Sequence, residues 1–373
     1  MNGAALAEKI ARRIRAEGPL SVAAFMAMAL HDPDDGYYAR RDPIGRAGDF
    51  ITAPEISQIF GELIGLCCAD WWQRSGRPHP VILAELGPGR GALMADFLRA
   101  AGRLPEFRRA LRLHLIETSP LLRAEQERRL PAAEPRFVAG FDELPSGPML
   151  LVANEFLDAL PIRQLVRGSA EWGERLVALD PDSRFVFTQG PESPALSMLV
   201  PPSLRMLPPG SVVEICPAAA ALAASLGERL ARSPGLALLI DYGYFPSAPG
   251  PTLAALRDHR PVDLIEEPGS ADLSAHVDFA TFAAAAEARG AVAHGPVPQG
   301  RFLSTLGAEA RLATLSARAS AEQCAALEAG LQRLIDPAEM GTLFKVLALT
   351  SPGLPAPAGF EQSSPPAVSM NPA

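Results

Sequence analysis

Apolar residues recur at helical spacing at Leu6, Ile10 and Ile14, and again at Val22, Phe25, Met26 and Ala29. The spacing predicts two helices over residues 4–30, separated by Gly18-Pro19. Turn formers crowd His31-Asp-Pro-Asp-Asp-Gly-Tyr-Tyr38, and Gly45 and Gly48 prolong the loop. Pro54 suits a helix start, and Ile56, Ile59, Phe60, Leu63, Ile64 and Cys67 carry an apolar face to Trp72. Residues 1–80 thus predict a helical N-terminal extension.

The period changes at residue 81. Val81-Ile-Leu-Ala84, Leu111–Ile116, Arg136–Ala139 and Met149–Ala153 are short runs typical of buried strands. Helical stretches over 92–101 and from Pro120 to Leu130 alternate with them. Strand and helix in this order predict an α/β fold, a doubly wound parallel sheet. Residues 162–213, rich in Pro, Gly and short alternating runs, read as a β-rich insertion. The α/β pattern resumes over 214–350 with an alanine-rich helix from Ala218, a strand Leu236–Ile240 ending on Asp241, a helix over 279–289 and a final strand from Leu343. Residues 351–373, Pro- and Ser-rich, are expected to form a disordered tail.

Charge and composition narrow the function. A net charge of −8 disfavours a nucleic-acid binder, which concentrates Lys and Arg on one face. No apolar run is long enough to insert in a membrane. The four cysteines and six histidines have no metal-ligand spacing, so no metal is expected. The Arg-containing start holds Glu8 and Glu17 and lacks a signal or transit pattern, which predicts a cytoplasmic location.

Candidate chemistry gathers at strand ends. Gly87, Gly89 and Gly91 lie between a strand and a helix, where bare backbone N–H groups can approach a ligand. Alone, this loop also satisfies the dinucleotide pattern. Glu117 ends the second strand, where a carboxylate can accept from ribose hydroxyls. Glu85 ends the first strand; there it suits the ammonium group of S-adenosylmethionine and opposes a pyrophosphate. After the fourth strand come Asn154, Glu155 and Asp158. If a helix starts there, the two carboxylates share a face and can grip a guanidinium; the alternative is an N-cap with acidic first-turn residues.

Together these motifs resemble the MidA/NDUFAF7-type class I methyltransferases over about residues 18–350. The resemblance rests on Asp32-Pro-Asp-Asp-Gly-Tyr-Tyr38, Pro43–Gln58 with its Gly-Asp-Phe-Ile-Thr-Ala-Pro-Glu55, the glycine loop, Ala153-Asn-Glu-Phe-Leu-Asp-Ala-Leu-Pro-Ile162, Asp241-Tyr-Gly243, Ala271–Phe279 and Glu339–Lys345. It implies a Rossmann-like class I methyltransferase sheet, with S-adenosylmethionine as cofactor. It also implies that Gly48 to Glu55 passes over the cofactor, with Thr52 and Glu55 as contacts. The family's mitochondrial members are associated with arginine methylation of a respiratory complex I subunit and with complex I assembly. A protein substrate, including a respiratory-chain subunit, is therefore the expected partner. The short N-terminus suggests a bacterial-type member. Pro251 departs from the pattern, which expects an acidic residue before Thr-Leu. His276 and Asp278 read equally as a structural loop or a substrate-side pair. Methylation of another acceptor, a binding-only assembly factor and a nicotinamide enzyme are the competing functions.

Overall fold

The computed structural model describes residues 3–40 and 51–360. The α/β expectation holds. Seven strands build the main sheet: β1 (Val81–Leu86), β2 (Leu111–Ile116), β3 (Arg136–Val138), β4 (Met149–Asn154), β5 (Gly235–Tyr244), β6 (Val292–Pro298) and β7 (Phe344–Thr350). Their spatial order is β6-β7-β5-β4-β1-β2-β3, and Val277–Asp278 adds a short strand to the end of β5. Strands β1 to β5 run parallel, with Glu85 opposite Val152 on β4 and Leu115 on β2. Strand β7 is antiparallel to both neighbours. The chain winds one way from β1 and the other way from β4, so a crevice opens above the carboxyl ends of these two strands.

The extension begins with α1 (Gly3–Glu17) and α2 (Val22–His31). Ser21 caps α2, its Oγ accepting from the Ala24 N–H. Pro19 cannot continue a helix, so Leu20–Ser21 is extended and pairs antiparallel with Trp172–Leu179. The extension is thus not wholly helical; it adds an edge to the sheet of the insertion, whose strands are Arg163–Arg167, Trp172–Leu179, Phe185–Gln189 and Val212–Ile215. Leu6, Ile10, Phe25 and Leu30 pack in one cluster with Val177, Leu273 and Ala275, which binds extension, insertion and core together.

After the short helical turn Ala53–Ile56 comes α3 (Gln58–Arg74). The faces of β1 separate by pleat: Val81 and Leu83 join a cluster with α3 and α4 (Ala92–Ala101). Ile82, Ala84 and Leu86 join the opposite cluster. Strand β2 leads into α5 (Pro120–Arg129). The opposite layer is α6 (Pro217–Arg232) and α7 (Phe279–Glu287). Helices α3 and α4 touch closely because Gly61 has no side chain; a Cβ there would lie 2.7 Å from that of Asp96. The buried Glu62 carboxylate joins α3 to its surroundings by pairing with Arg99 at 2.9 Å and Arg311 at 2.6 Å.

Two stretches differ from the sequence reading. Residues 299–335, for which the pattern suggested nothing, form three helices ending in α8 (Ala321–Ile335). Only Leu331 and Leu334 of α8 are buried, too few to mark a face in the sequence. The tail expected from residue 351 is not disordered over 351–360: the Trp71 indole donates to the Pro355 carbonyl at 2.9 Å, and Phe360 packs on Phe302. Composition averages a segment and hides one anchoring aromatic. Residues 361–373 lie outside the described residues.

Candidate functional site

The crevice holds a cavity of about 850 Å³, lined from the ends of β1, β2 and β4 and by the extension. That volume accommodates a cofactor-sized molecule and more. Near the end of β1, Glu85 lines the cavity, and its Oε2 is buried with no hydrogen-bond partner among the described residues. Burial alone pushes this carboxyl up to about 8. Such a group calls for a cationic ligand, since an unpaired buried carboxylate is costly and an adjacent positive charge restores its ionised form.

The loop above it turns through left-handed conformations, with φ of 61° at Gly87, 52° at Gly89 and 76° at Gly91. Gly87 is also sterically required: a Cβ there would come within 2.8 Å of the Phe156 ring. Gly91 caps α4 and, unlike Gly87 and Gly89, does not line the cavity. Gln126 of α5 holds the loop, donating from Nε2 to the Gly89 carbonyl at 2.6 Å. Glu117, at the end of β2, lines the cavity. Its Oε1 accepts from the N–H groups of Thr118 at 2.8 Å and Ser119 at 2.7 Å, and Oε2 has, among the described residues, a single 3.3 Å contact with Gln126. One carboxylate oxygen thus orients the other. Burial raises the Glu117 pKa, opposed by those N–H groups and Gln126. An ammonium at Glu85 and a diol at Glu117 are the polar pattern of S-adenosylmethionine, so the residues fit that cofactor.

Thr52, Pro54 and Glu55 form part of the opposite wall. Glu55 Oε1 pairs with Arg129 of α5 at 3.1 Å, so its strongest contact is with the protein itself. The Ala53 N–H donates to Glu155 Oε1 at 2.9 Å and ties this strap to the end of β4. Gly48 lies outside the described residues.

The segment after β4 corrects the sequence reading. No helix begins at Asn154; Glu155 is left-handed at φ 49°, and Glu155 and Asp158 do not share a helix face. The cause is Asp241 on β5, whose Oδ2 accepts from the N–H groups of Phe156, Leu157 and Asp158 at 3.2, 2.9 and 3.2 Å. Its Oδ1 takes the Tyr242 N–H at 2.9 Å. These bonds gather the chain into a tight turn. Asn154 and Glu155 line the cavity, whereas Asp158 lies behind its wall, accepting from the Tyr242 hydroxyl at 2.6 Å. Glu155 Oε1 also accepts from Asn154 Nδ2 at 3.1 Å. Burial pushes Glu155 up to about 7, the nearby Asp158 reinforcing and the Ala53 N–H opposing the shift. Asp158 is likewise raised by burial, to about 6. Burial lifts Asp241 well above the carboxylate range, with Asp158 and Glu155 adding repulsion.

Sequence reasoning missed Asp241 as a site residue, although it stood at the expected end of the strand from Leu236, as Glu85 and Glu117 did at theirs; the same strand-end rule would have flagged it, even though β5 in fact runs on to Tyr244. It also missed Tyr38, whose ring lines the cavity and whose hydroxyl donates to Asp272 Oδ1 at 2.9 Å. Of the two open positions, Asp278 is the N-cap of α7, accepting from the Thr281 N–H at 3.0 Å. The His276 N–H donates to Thr252 Oγ1. Neither lines the cavity. Among the described residues no group of three or more His, Cys, Asp or Glu could hold a metal, and no helix is long and apolar enough to cross a membrane.

Residues 63–297 match a family model described as "putative S-adenosyl-L-methionine-dependent methyltransferase". The chain is 38% identical over 378 residues to the mitochondrial protein arginine methyltransferase NDUFAF7 homolog of Drosophila melanogaster, covering 92% of this chain and 84% of that one. It is 33% identical over 365 residues to the mitochondrial protein arginine methyltransferase NDUFAF7 of Homo sapiens, covering 90% and 81%. A Burkholderia thailandensis protein solved with S-adenosyl-homocysteine bound superposes with a TM-score of 0.82 at 30% identity, covering 96% of this chain and 94% of that one. These names also overturn the cytoplasmic location expected from the N-terminus: the relatives are named mitochondrial, and the composition of the first residues does not decide location.

Proposed function

The chain belongs to this family of S-adenosylmethionine-dependent methyltransferases, and from that premise we propose that its methyl acceptor is an arginine nitrogen of a protein, a respiratory complex I subunit being the first candidate. The relatives' printed activity supports the acceptor class. The observation that carries it here is Glu155, a part-buried carboxylate in the cavity wall whose hydrogen bonds among the described residues both fall on Oε1.

Glu85 pairs with the cofactor's ammonium group, and Glu117 accepts from its ribose hydroxyls. Gly87 and Gly89 let the backbone approach, and Thr52 and Glu55 cover the site from the strap. When bound, the cofactor supplies a sulfonium methyl group; on transfer the S–CH3 electron pair stays on sulfur as the N–CH3 bond forms. The acceptor must then lose one proton for the charges to balance. Glu155 Oε2 orients the guanidinium and, with its pKa pushed up to about 7, takes that proton more readily than an ordinary carboxylate would. Asn154 holds Glu155 in place, and Asp158 acts from behind the wall rather than as half of a clamp. Positioning supplies most of the acceleration.

Labelled methyl transfer from S-adenosylmethionine into lysate protein, read by mass spectrometry, tests this. Methylarginine formed by the wild type and lost in Glu155→Gln is the expected result. Label confined to other residues or to small molecules overturns the arginine assignment, and binding of the cofactor without any transfer favours an assembly role by contact.

A further inference from the structure

Besides Asn154 and Glu155, the cavity is lined from the extension by Leu30, His31 and Tyr38, together with Leu160. The two adjacent tyrosines there have different fates. Tyr37 is fully buried in the extension's core, while Tyr38 is only part-buried and lines the cavity. Three contacts hold the Tyr38 ring. Its hydroxyl donates to Asp272 at 2.9 Å, Tyr37 meets it edge-on at 5.2 Å between centroids, and His31 stacks on it at 5.6 Å. Asp272 starts the strand Asp272–Ser274, and the next residue, Ala275, donates its N–H to the Asp158 carbonyl at 3.0 Å. The ring is thereby fixed relative to the turn that carries Glu155.

We propose that Tyr38 is the specificity-determining wall of the acceptor site, its aromatic ring part of the same cavity that Glu155 lines and available there to a flat cationic acceptor. This rests on the arginine reading above. A guanidinium is planar and weakly hydrated, so it gains both from stacking on an aromatic ring and from a carboxylate at its edge. An extended ammonium gains less from the first. The phenol proton is committed to Asp272, so the hydroxyl serves to position the ring and the ring makes the contact. Burial lowers the pKa of His31, the ring's stacking partner. A purely architectural Tyr38 would need its bond to Asp272 and its ring contacts with Tyr37 and His31, so its loss would register in unfolding stability and in cofactor affinity together rather than in acceptor KM alone.

Substitutions separate the two roles. Tyr38→Phe keeps the ring and loses the Asp272 bond; Tyr38→Leu keeps apolar bulk and loses the ring. Both are assayed by labelled transfer into protein, with cofactor affinity measured by calorimetry. The wall predicts that KM for the acceptor rises about tenfold in Tyr38→Leu and less than threefold in Tyr38→Phe, while cofactor Kd stays within about twofold of wild type in both. Equal KM values in the two variants, or a loss of cofactor affinity that parallels the rise in KM, overturns the proposal. Label on arginine without the Phe/Leu contrast sinks the wall and leaves the arginine reading intact. Label on another nitrogen with the contrast intact sinks the arginine reading and leaves Tyr38 as the acceptor wall.

Discussion

The two ends of the cavity are built differently. The end proposed to hold the cofactor draws Glu85, Gly87, Gly89 and Glu117 from one continuous β1-loop-α4-β2 stretch. The end proposed to take the acceptor combines Asn154 and Glu155 with Asp241, 86 residues on from Glu155 (241 − 155), and with Tyr38 and Asp272 from opposite sides of the core in sequence. A nucleotide-bearing ligand has groups at fixed separations, and one strand-loop-helix-strand unit can match them with local geometry. A variable protein acceptor needs a surface assembled from elements that the fold alone brings together. The cofactor end therefore tolerates few backbone changes, and the acceptor end depends on its long-range hydrogen bonds.

The sharpest break of this contrast is Asp241→Ala. It strands the N–H groups of Phe156, Leu157, Asp158 and Tyr242, and should cost about 3 kcal/mol or more by denaturant unfolding. Transfer activity should fall with it while the glycine loop, a separate construction, still binds cofactor. Loss of cofactor affinity equal to the loss of transfer would mean that the two ends are one unit. Next, Glu155→Gln retains an acceptor for the Ala53 N–H but removes the charge; transfer should drop about 100-fold in kcat at nearly constant cofactor Kd. In the wild type, kcat should fall as pH drops through about 7, where Glu155 gains its proton; the same profile in Glu155→Gln would assign that titration elsewhere.

Gly87→Ala reverses the pattern. The new Cβ meets Phe156 at 2.8 Å on a backbone at φ 61°, so cofactor affinity should weaken about tenfold or more, by calorimetry. Glu85→Gln gives a similar loss of affinity with an opposite effect on stability. The folded pKa of Glu85, about 8, exceeds its ordinary 4.5, so between those values the folded protein binds more protons than the unfolded chain. Without cofactor, this group's stability contribution is present at low pH and is lost as pH rises through 8. Glu85→Gln should flatten that decline in denaturant midpoints between pH 5.5 and 8.5; an unchanged slope would place the titration elsewhere. The smallest effect belongs to Glu55→Ala, which removes a part-exposed pair with Arg129 and should change cofactor Kd less than about threefold.

Periodicity and strand-end chemistry made the cofactor half legible before any coordinates. Short buried runs, glycines after a strand and carboxylates at strand ends are local patterns, and local patterns survive in one dimension. The strap at Thr52 and Glu55 was reachable only through resemblance, because nothing in its own sequence says what it covers. The helical clamp of Glu155 and Asp158 failed for a nameable reason: propensity and spacing favoured a helix, but Asp241 offered three N–H groups a better partner from a strand 86 positions away (241 − 155). The helices Ala308–Ser316 and Ala321–Ile335 escaped notice because too few of their residues are buried to print a period, and Gln299–Thr305 because two turns are too short to show one.

The sequence by itself determined the sheet, the loop and the cofactor, since each is written in residues that neighbour one another along the chain. Which carboxylate lines the cavity, which one holds the turn behind it, and which of two adjacent tyrosines enters the cavity were decided by tertiary structure. Those roles depend on hydrogen bonds between β5, the turn after β4, the extension and Asp272–Ser274, and such bonds form only once the sheet has brought distant residues within about 3 Å of one another.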